Sequence, residues 1–435
     1  MTDYNKISFK IKQQIALFSN ILTAGLFKKP LRRGIKEIIF GIQAQKDVKL
    51  SNIARSLGEK IPLIKVENRL SNNLKKKKFS DKIIERVLEM AKEHISEDTV
   101  VAVDGGDISK EYAKHMENIA SVRDGSTGEI KNGYSLLHVT AADVKGEIMV
   151  PMYMILYSSE AKDFVSENKE IIKAIDLIKS YISNKGIWTM DRGGDRKIII
   201  KKLCDDNLRF VIRIKKNRNF LINKENNKDE YQKATCSLII KQLKYTKYDF
   251  SIKKAVRTSK SKKLRIGYCR VKIPGIDNVD MYLVVIKKLS EEAMILLTNL
   301  KVGYEDDCYK PEQVLEIYLT RWKCDENYRF LKESYKLEDI RVNKYVSLQN
   351  MIALVLAVFY FICVFIGLKT KLNILLKQIC EKAQRFFQIA SYKWYAVSDG
   401  IYKILSKIKA EAFPRPSKPP PYVQLNLFPN EYYFM

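Results

Sequence analysis

The 435-residue sequence contains only three histidines, and none of its seven cysteines falls in a Cys-x-x-Cys pair. That scarcity argues against a zinc cluster. Cys204, Cys236, Cys269, Cys308, Cys324, Cys363 and Cys380 are widely scattered and read as reduced, mostly buried thiols of an intracellular protein. The first twenty residues lack a long apolar run and a small-residue cleavage pattern, so no secretory signal is expected and the chain is expected in the cytoplasm. No internal repeat is visible. Acidic residues are in deficit, with 50 Asp plus Glu against 78 Lys plus Arg, a formal charge of +28 and an isoelectric point near 9.5. Such a chain expects a polyanionic partner, and nucleic acid is the leading candidate.

One run raises a different class. Tyr345 to Leu368 carries no charge and has the length of a membrane span. Polar Ser347, Gln349 and Asn350 crowd its start, and it is isolated in a polar chain. It is therefore expected to be the central helix of a large core, with no membrane partner.

Residues 1–98 read as short amphipathic helices punctuated by Gly25, Pro30, Gly34, Gly58 and Pro62, a helical DNA-binding domain. Within it Ser51 is placed to cap a helix through Leu57. Gly58 then turns the chain, and a second helix presents Lys65, Arg69 and Asn72 outward in the manner of a helix-turn-helix. The basic run Lys75 to Lys78 extends this surface. From residue 99 the pattern changes: Thr99 to Val103 is a strand ending at Asp104, and YSLLHVTAAD and IMVPMYMILY form an antiparallel hairpin about Lys145 and Gly146. A helix over Ser166 to Ile182, the strand GIWTM ending at Asp191, another helix and the strand RFVIRI follow. Residues 99–214 thus predict an α/β fold, a mixed sheet flanked by helices. Residues 215–299 are Lys-rich and strand-like, a β-rich insertion. The fold resumes over 300–412 with a long helix from Pro311 and the apolar helix, and 413–435 is a Pro-rich extended tail.

Neighbouring strands that each end in Asp can bring carboxylate oxygens close enough to share divalent ions. A third element joins them. Tyr318, Arg321, Asp325 and Lys332 are spaced 3, 4 and 7 residues apart, which places them on one face of a helix. With Asp104 after one strand and Asp191-Arg192-Gly193-Gly194-Asp195 after another, this spacing resembles the DDE transposases of the IS-four group, over residues 99 to about 345. The resemblance implies an RNase H-like core interrupted by a β-rich insertion. It implies that Asp104, Asp191 and a third acid bind two Mg²⁺ ions, with Mn²⁺ as an alternative, for in-line attack on phosphorus without a covalent protein–DNA intermediate. The implied partners are double-stranded DNA with terminal inverted repeats and a target DNA, handled by a homodimer in a cut-and-paste reaction. Tyr318, Arg321 and Lys332 would contact phosphates. Arg192 would assist them, or else pair with Asp195 or Asp107.

The sequence departs from the family where Glu is expected. Asp325 lies on the motif face but is one methylene shorter, whereas the adjacent Glu326 has the reach but projects about 100° around the helix. Both remain candidates. Two other readings therefore stand beside an active transposase: an RNase H-like nuclease without strand transfer, and a DNA-binding derivative with weakened catalysis. Asp107 reads as a turn residue after Asp104, Asp124, Glu160 and Asp163 as structural loop acids, and Tyr268 or Tyr282 as the insertion aromatics able to stack a flipped base.

Overall fold

The computed structural model describes residues 2–113, 115–125, 127–144, 149–224, 227–252, 260–368, 373–383, 393–407 and 412–413. The turn expected at Lys145 and Gly146 and the Pro-rich tail after Phe413 lie outside these residues.

Five helices open the chain: α1 (Thr2–Thr23), α2 (Lys29–Gln45), α3 (Leu50–Ser56), α4 (Leu63–Lys75) and α5 (Ser80–Ala91). In α1, Ile7, Ile11, Ile15, Phe18 and Leu22 recur every three or four residues and are all buried, the stripe that packs an amphipathic helix onto its neighbours. Ser51 does not cap α3. That helix starts at Leu50 with Lys49 at the cap position, and the carboxylate of Asp47 instead accepts the Lys49 amide at 2.7 Å.

The sheet begins with β1 (Val100–Ser109), β2 (Ala120–Arg123), β3 (Ile130–Ala142) and β4 (Met149–Tyr157). The chain continues through α6 (Glu167–Ile182), β5 (Ile187–Met190), α7 (Lys197–Asp205) and β6 (Arg209–Arg213). Ser166 caps α6 by accepting the Lys169 amide. β3 pairs antiparallel with β1 and with β4, whereas β5 runs parallel to both β1 and β6. Three antiparallel strands followed by two parallel ones, with helices packed on the sheet, make an RNase H-like core.

Sequence reasoning ended β1 at Asp104 and placed a polar loop where β2 stands. The structure carries β1 on to Ser109, because β3 pairs with it from Val100↔Ala142 through Ser109↔Gly133. β5 pairs only with Val100 to Ala102 before the chain turns away. One edge of β1 is thus open beyond Asp104.

The remaining strands extend the same sheet: β7 (Asn219–Lys224), β8 (Asn227–Thr235), β9 (Thr246–Ile252), β10 (Lys260–Ile273), β11 (Ile276–Lys287) and β12 (Met294–Thr298), with α8 (Cys236–Gln242) between β8 and β9. The strand order β2-β3-β1-β5-β6-β12-β11-β10-β7-β8 joins them to the core through β6 and β12. Residues 215–299 therefore continue the central sheet.

The helix expected from Pro311 is two: α9 (Pro311–Thr320) and α10 (Trp322–Ser334), parted at Arg321. The Arg321 amide donates to Tyr318 and the Cys324 amide to Arg321, short-range bonds that tighten the chain at the junction.

α11 (Tyr345–Tyr360) continues into a π-helical turn over Phe361–Ile366, and α12 (Asn373–Glu381) and α13 (Lys393–Leu405) follow. This is the one helix among the described residues long and apolar enough to cross a membrane, and 94% of its apolar window is buried inside the protein. Its polar start has a function in the fold. The Asn350 side chain accepts the amides of Phe79 and Ser80 at 2.8 and 2.9 Å and donates to the carbonyls of Leu74 and Lys77 at 2.8 and 2.9 Å. One buried side chain, fully bonded, thereby caps α5 and ties the N-terminal helices to α11.

Candidate active site

The register Ala102↔Thr189 between parallel β1 and β5 carries Asp104 and Asp191 to neighbouring positions, two residues further along each strand. Asp191 leaves the sheet at once. Its carboxylate accepts the Gly193 amide at 2.7 Å and starts a 3₁₀ turn over Arg192–Gly194. A Cβ on residue 193 would lie 2.8 Å from that carboxylate, so a side chain there would push the Asp191 carboxylate out of this position. An open cleft of about 510 Å³ lies where the strands part, lined by Asp104, Asp107, Asp191, Arg123 and Glu167 among others.

α10 brings the third acid. Arg321 Nη1 donates to Asp325 Oδ1 at 2.8 Å and to Asp104 Oδ2 at 3.3 Å, and Nη2 donates to Asp325 Oδ2 at 3.2 Å. Arg321 is buried and Asp325 is 44% exposed. Burial is the main cause raising the Asp104 carboxyl well above the usual carboxylate range. The neighbouring Asp325 and Asp191 add to the rise, and the Arg321 charge opposes it. For Arg321 burial works against ionisation, but Asp104, Tyr318 and Asp325 outweigh it and hold the guanidinium charged.

Glu326 faces elsewhere, accepting the Tyr395 hydroxyl of α13 at 2.7 Å. Tyr318 is buried, its ring centre 5.7 Å from the Arg321 guanidinium carbon. Lys332 lies two turns along α10 from Asp325, 3.6 Å from Asp107 and 3.0 Å from Glu338. Arg192 pairs with neither Asp195 nor Asp107. It reaches Glu292 at 3.1 Å, while Asp195 is held by Arg218 at 2.5 Å. Asp107 is an interior strand residue of β1, buried, with one oxygen accepting the Gly125 amide at 3.1 Å.

In the N-terminal helices Lys65 is exposed. Arg69 was expected to point outward but turns to Glu59 and Glu37, at 2.6 and 2.9 Å, because Glu37 is almost fully buried and requires a cation. Tyr268 of β10 meets Tyr304 edge-on, with ring centres 6.3 Å apart, and Tyr282 is half-buried on β11.

Sequence reasoning missed a buried layer beneath the acids. His138 pairs with Asp104 in the β1–β3 register, stacks on Tyr328 with ring centres 5.2 Å apart, and has Nδ1 3.2 Å from the Cys324 sulfur. Burial lowers its pKa to about 4, so it is neutral. Tyr328 carried a legible signal, since it lies one turn after Asp325 on the same helix.

Three aspartates form an all-oxygen donor set suited to a hard divalent cation, and their mutual repulsion on Asp104 is the excess charge such an ion would neutralise. A tighter grouping exists at Glu305, Asp307 and Cys308, but it is exposed and Lys301 already pairs with both of its carboxylates.

The mixed RNase H-like sheet thus holds two acids at adjacent parallel strands and a third on a packed helix. Residues 157–361 match the family model described as Transposase DDE domain, a span that includes Asp191 and Asp325 and begins after Asp104. Over that span the chain is similar to a transposase DDE domain. A cryo-EM structure of the piggyBac transposase synaptic complex with hairpin DNA shows 10% identity and a TM-score of 0.38, covering 92% of this chain and 81% of that chain. No curated protein matches the chain.

Proposed function

We propose that the protein is a Mg²⁺-dependent DNA transposase of the insertion-sequence type. It binds terminal inverted repeats as a homodimer, cuts them and joins the ends to target DNA by cut-and-paste in the cytoplasm, at the nucleoid. The observation that carries this reading is the placement of Asp104 and Asp191 side by side on parallel strands, with Asp325 delivered to them by α10.

Asp104, Asp191 and Asp325 would hold the metal, Mg²⁺ or Mn²⁺, which when bound activates a water or 3′-hydroxyl nucleophile and stabilises the leaving oxygen. The chain's own groups do the rest. Arg321 offsets part of the repulsion between Asp104 and Asp325 and offers a planar fork to a phosphate, with Tyr318 packed against it. Lys332 supplies a point charge further along α10. The test is incubation of the protein with duplex DNA carrying the repeats that flank its reading frame. Cleavage that requires Mg²⁺, stops with chelator and is followed by joining of pre-cleaved ends is the expected result. Cleavage without joining would leave a nuclease, and neither activity would leave a DNA-binding derivative.

DNA grip away from the acids is expected in a basic groove of about 790 Å³ between α2 and α4. Arg33 and Arg69 on its wall are drawn to Glu37 and Glu59. Lys29, Arg32 and Lys76 have no carboxylate partner among the described residues, which leaves them for phosphates, with Lys65 exposed on the same helix α4 and Arg192 near the cleft as further contacts. Combined Lys29→Ala, Arg32→Ala and Lys76→Ala substitution is expected to weaken binding of random-sequence duplex. It should also make the slope of log affinity against log salt shallower by about 2–3 units, close to one per lost phosphate contact. Fluorescence anisotropy across a salt series measures both. An unchanged slope would remove the groove from the interface.

A further inference from the structure

Because β5 pairs only with Val100 to Ala102, every second amide of β1 beyond that point faces an open edge. The structure covers these groups one at a time. The Gly105 amide donates to the Asp104 carboxylate at 3.1 Å, the Asp107 amide to the Tyr328 hydroxyl at 3.1 Å, and the Ser109 amide to the Glu338 carboxylate at 3.2 Å. The Tyr328 hydroxyl also donates to the Asp107 carbonyl, so it satisfies both backbone groups of that residue.

We propose that Tyr328 is a positioning residue for the metal-binding acids, its hydroxyl standing in for the missing strand so that β1 and α10 are held at one spacing. Asp104 and Asp107 lie three residues apart on β1, and Asp325 and Tyr328 lie three residues apart on α10. The two elements are therefore tied twice: through Arg321 between the two acids, and through the Tyr328 hydroxyl one step further along. The first tie consists of side chains that a bound cation would compete for, whereas the second ends on backbone and involves no carboxylate.

The ring is itself fixed in place. It stacks on His138 at an interplanar angle of 18°, and the Lys332 ammonium lies 5.2 Å from its centre. Gly106 makes room for it, since a Cβ there would lie 2.8 Å from the ring carbon that bears the hydroxyl. Removing the hydroxyl keeps the stack but leaves the Asp107 amide and carbonyl unpaired and lets β1 shift against α10. Groups that orient metal ligands in this way typically govern metal affinity by about 10–100-fold.

This inference rests on the reading that Asp104, Asp191 and Asp325 bind the metal. Its test is calorimetric titration of Mn²⁺ into the DNA-free protein, with circular dichroism to verify the fold. Tyr328→Phe is expected to lower Mn²⁺ affinity about tenfold or more, with cleavage recovered at raised Mn²⁺. Gly106→Ala, which displaces the ring from the other side, should produce the same loss and supplies the result if Tyr328→Phe does not fold. Mn²⁺ affinity within twofold of wild type in a folded variant would overturn the role of Tyr328 alone. Mn²⁺ binding by the wild type that survives Asp191→Ala would overturn the metal-site reading, and this proposal with it.

Discussion

Asp191→Ala is expected to abolish cleavage of end-containing DNA, lowering the rate by about three orders of magnitude, while duplex binding stays within a few-fold of wild type. The size follows from what a metal-held oxygen supplies, several kcal/mol of transition-state stabilisation, and about 4 kcal/mol corresponds to about a thousandfold in rate. The separation of binding from cleavage follows from geometry. Asp191 contributes a carboxylate to the lining of the cleft and accepts one bond from the Gly193 amide, and it lies just after β5, far in sequence from the basic groove of α2 and α4. The loss of negative charge should if anything favour DNA. Gel shift with an end-containing duplex and a single-turnover cleavage assay measure the two arms. Retained cleavage would sink the assignment of Asp191, and lost binding would make it a residue of the DNA interface.

The second large effect separates the adjacent acids of α10. Asp325→Asn is expected to reduce cleavage by about a hundredfold or more. It removes the carboxylate that Arg321 holds beside Asp104 and leaves Arg321 biased toward Asp104 alone. Glu326→Gln should cleave within about twofold of wild type and show only a stability cost of about 1 kcal/mol from the altered bond to Tyr395. Asp325→Glu lengthens the side chain by one methylene on the same face and should keep most of the activity. Parallel cleavage rates and urea midpoints for the three variants decide the matter: an inactive Glu326→Gln beside an active Asp325→Asn would transfer the third role to Glu326.

The fold around these residues was legible wherever periodicity and burial agree. β3, β4 and α6 lie where alternation and helical spacing place them, and the uncharged stretch from Tyr345 lies inside the protein. The errors share one cause: each depended on a partner far away in the chain. β1 was cut short at Asp104 because no local signal announces that β3 will pair with it as far as Ser109. Ser51 reads as a cap from its neighbours alone, whereas α5 is capped by Asn350, about 270 residues distant. Arg69 has the spacing of an outward helix residue, and buried Glu37 turns it inward.

By itself the sequence determined the chemistry on offer. It specified two carboxylates after apolar strands, an Arg four residues before an acid on a helix, a large excess of cations, and too little His and Cys for zinc. These are statements about composition and local spacing, and local forces suffice to express them. Only the tertiary structure decided which acid meets which. Asp325 rather than Glu326 stands beside Asp104, because α10 meets β1 through Cys324, whose sulfur lies 3.7 Å from the Ala102 carbonyl, and through Tyr328, whose hydroxyl bonds the Asp107 backbone, and so presents the Asp325 side of the helix to the strand. Glu326 is rotated toward α13 and taken up by Tyr395. A helix has one face for each neighbour, and which face turns to the sheet is set by the burial of the whole helix against elements that no local window contains.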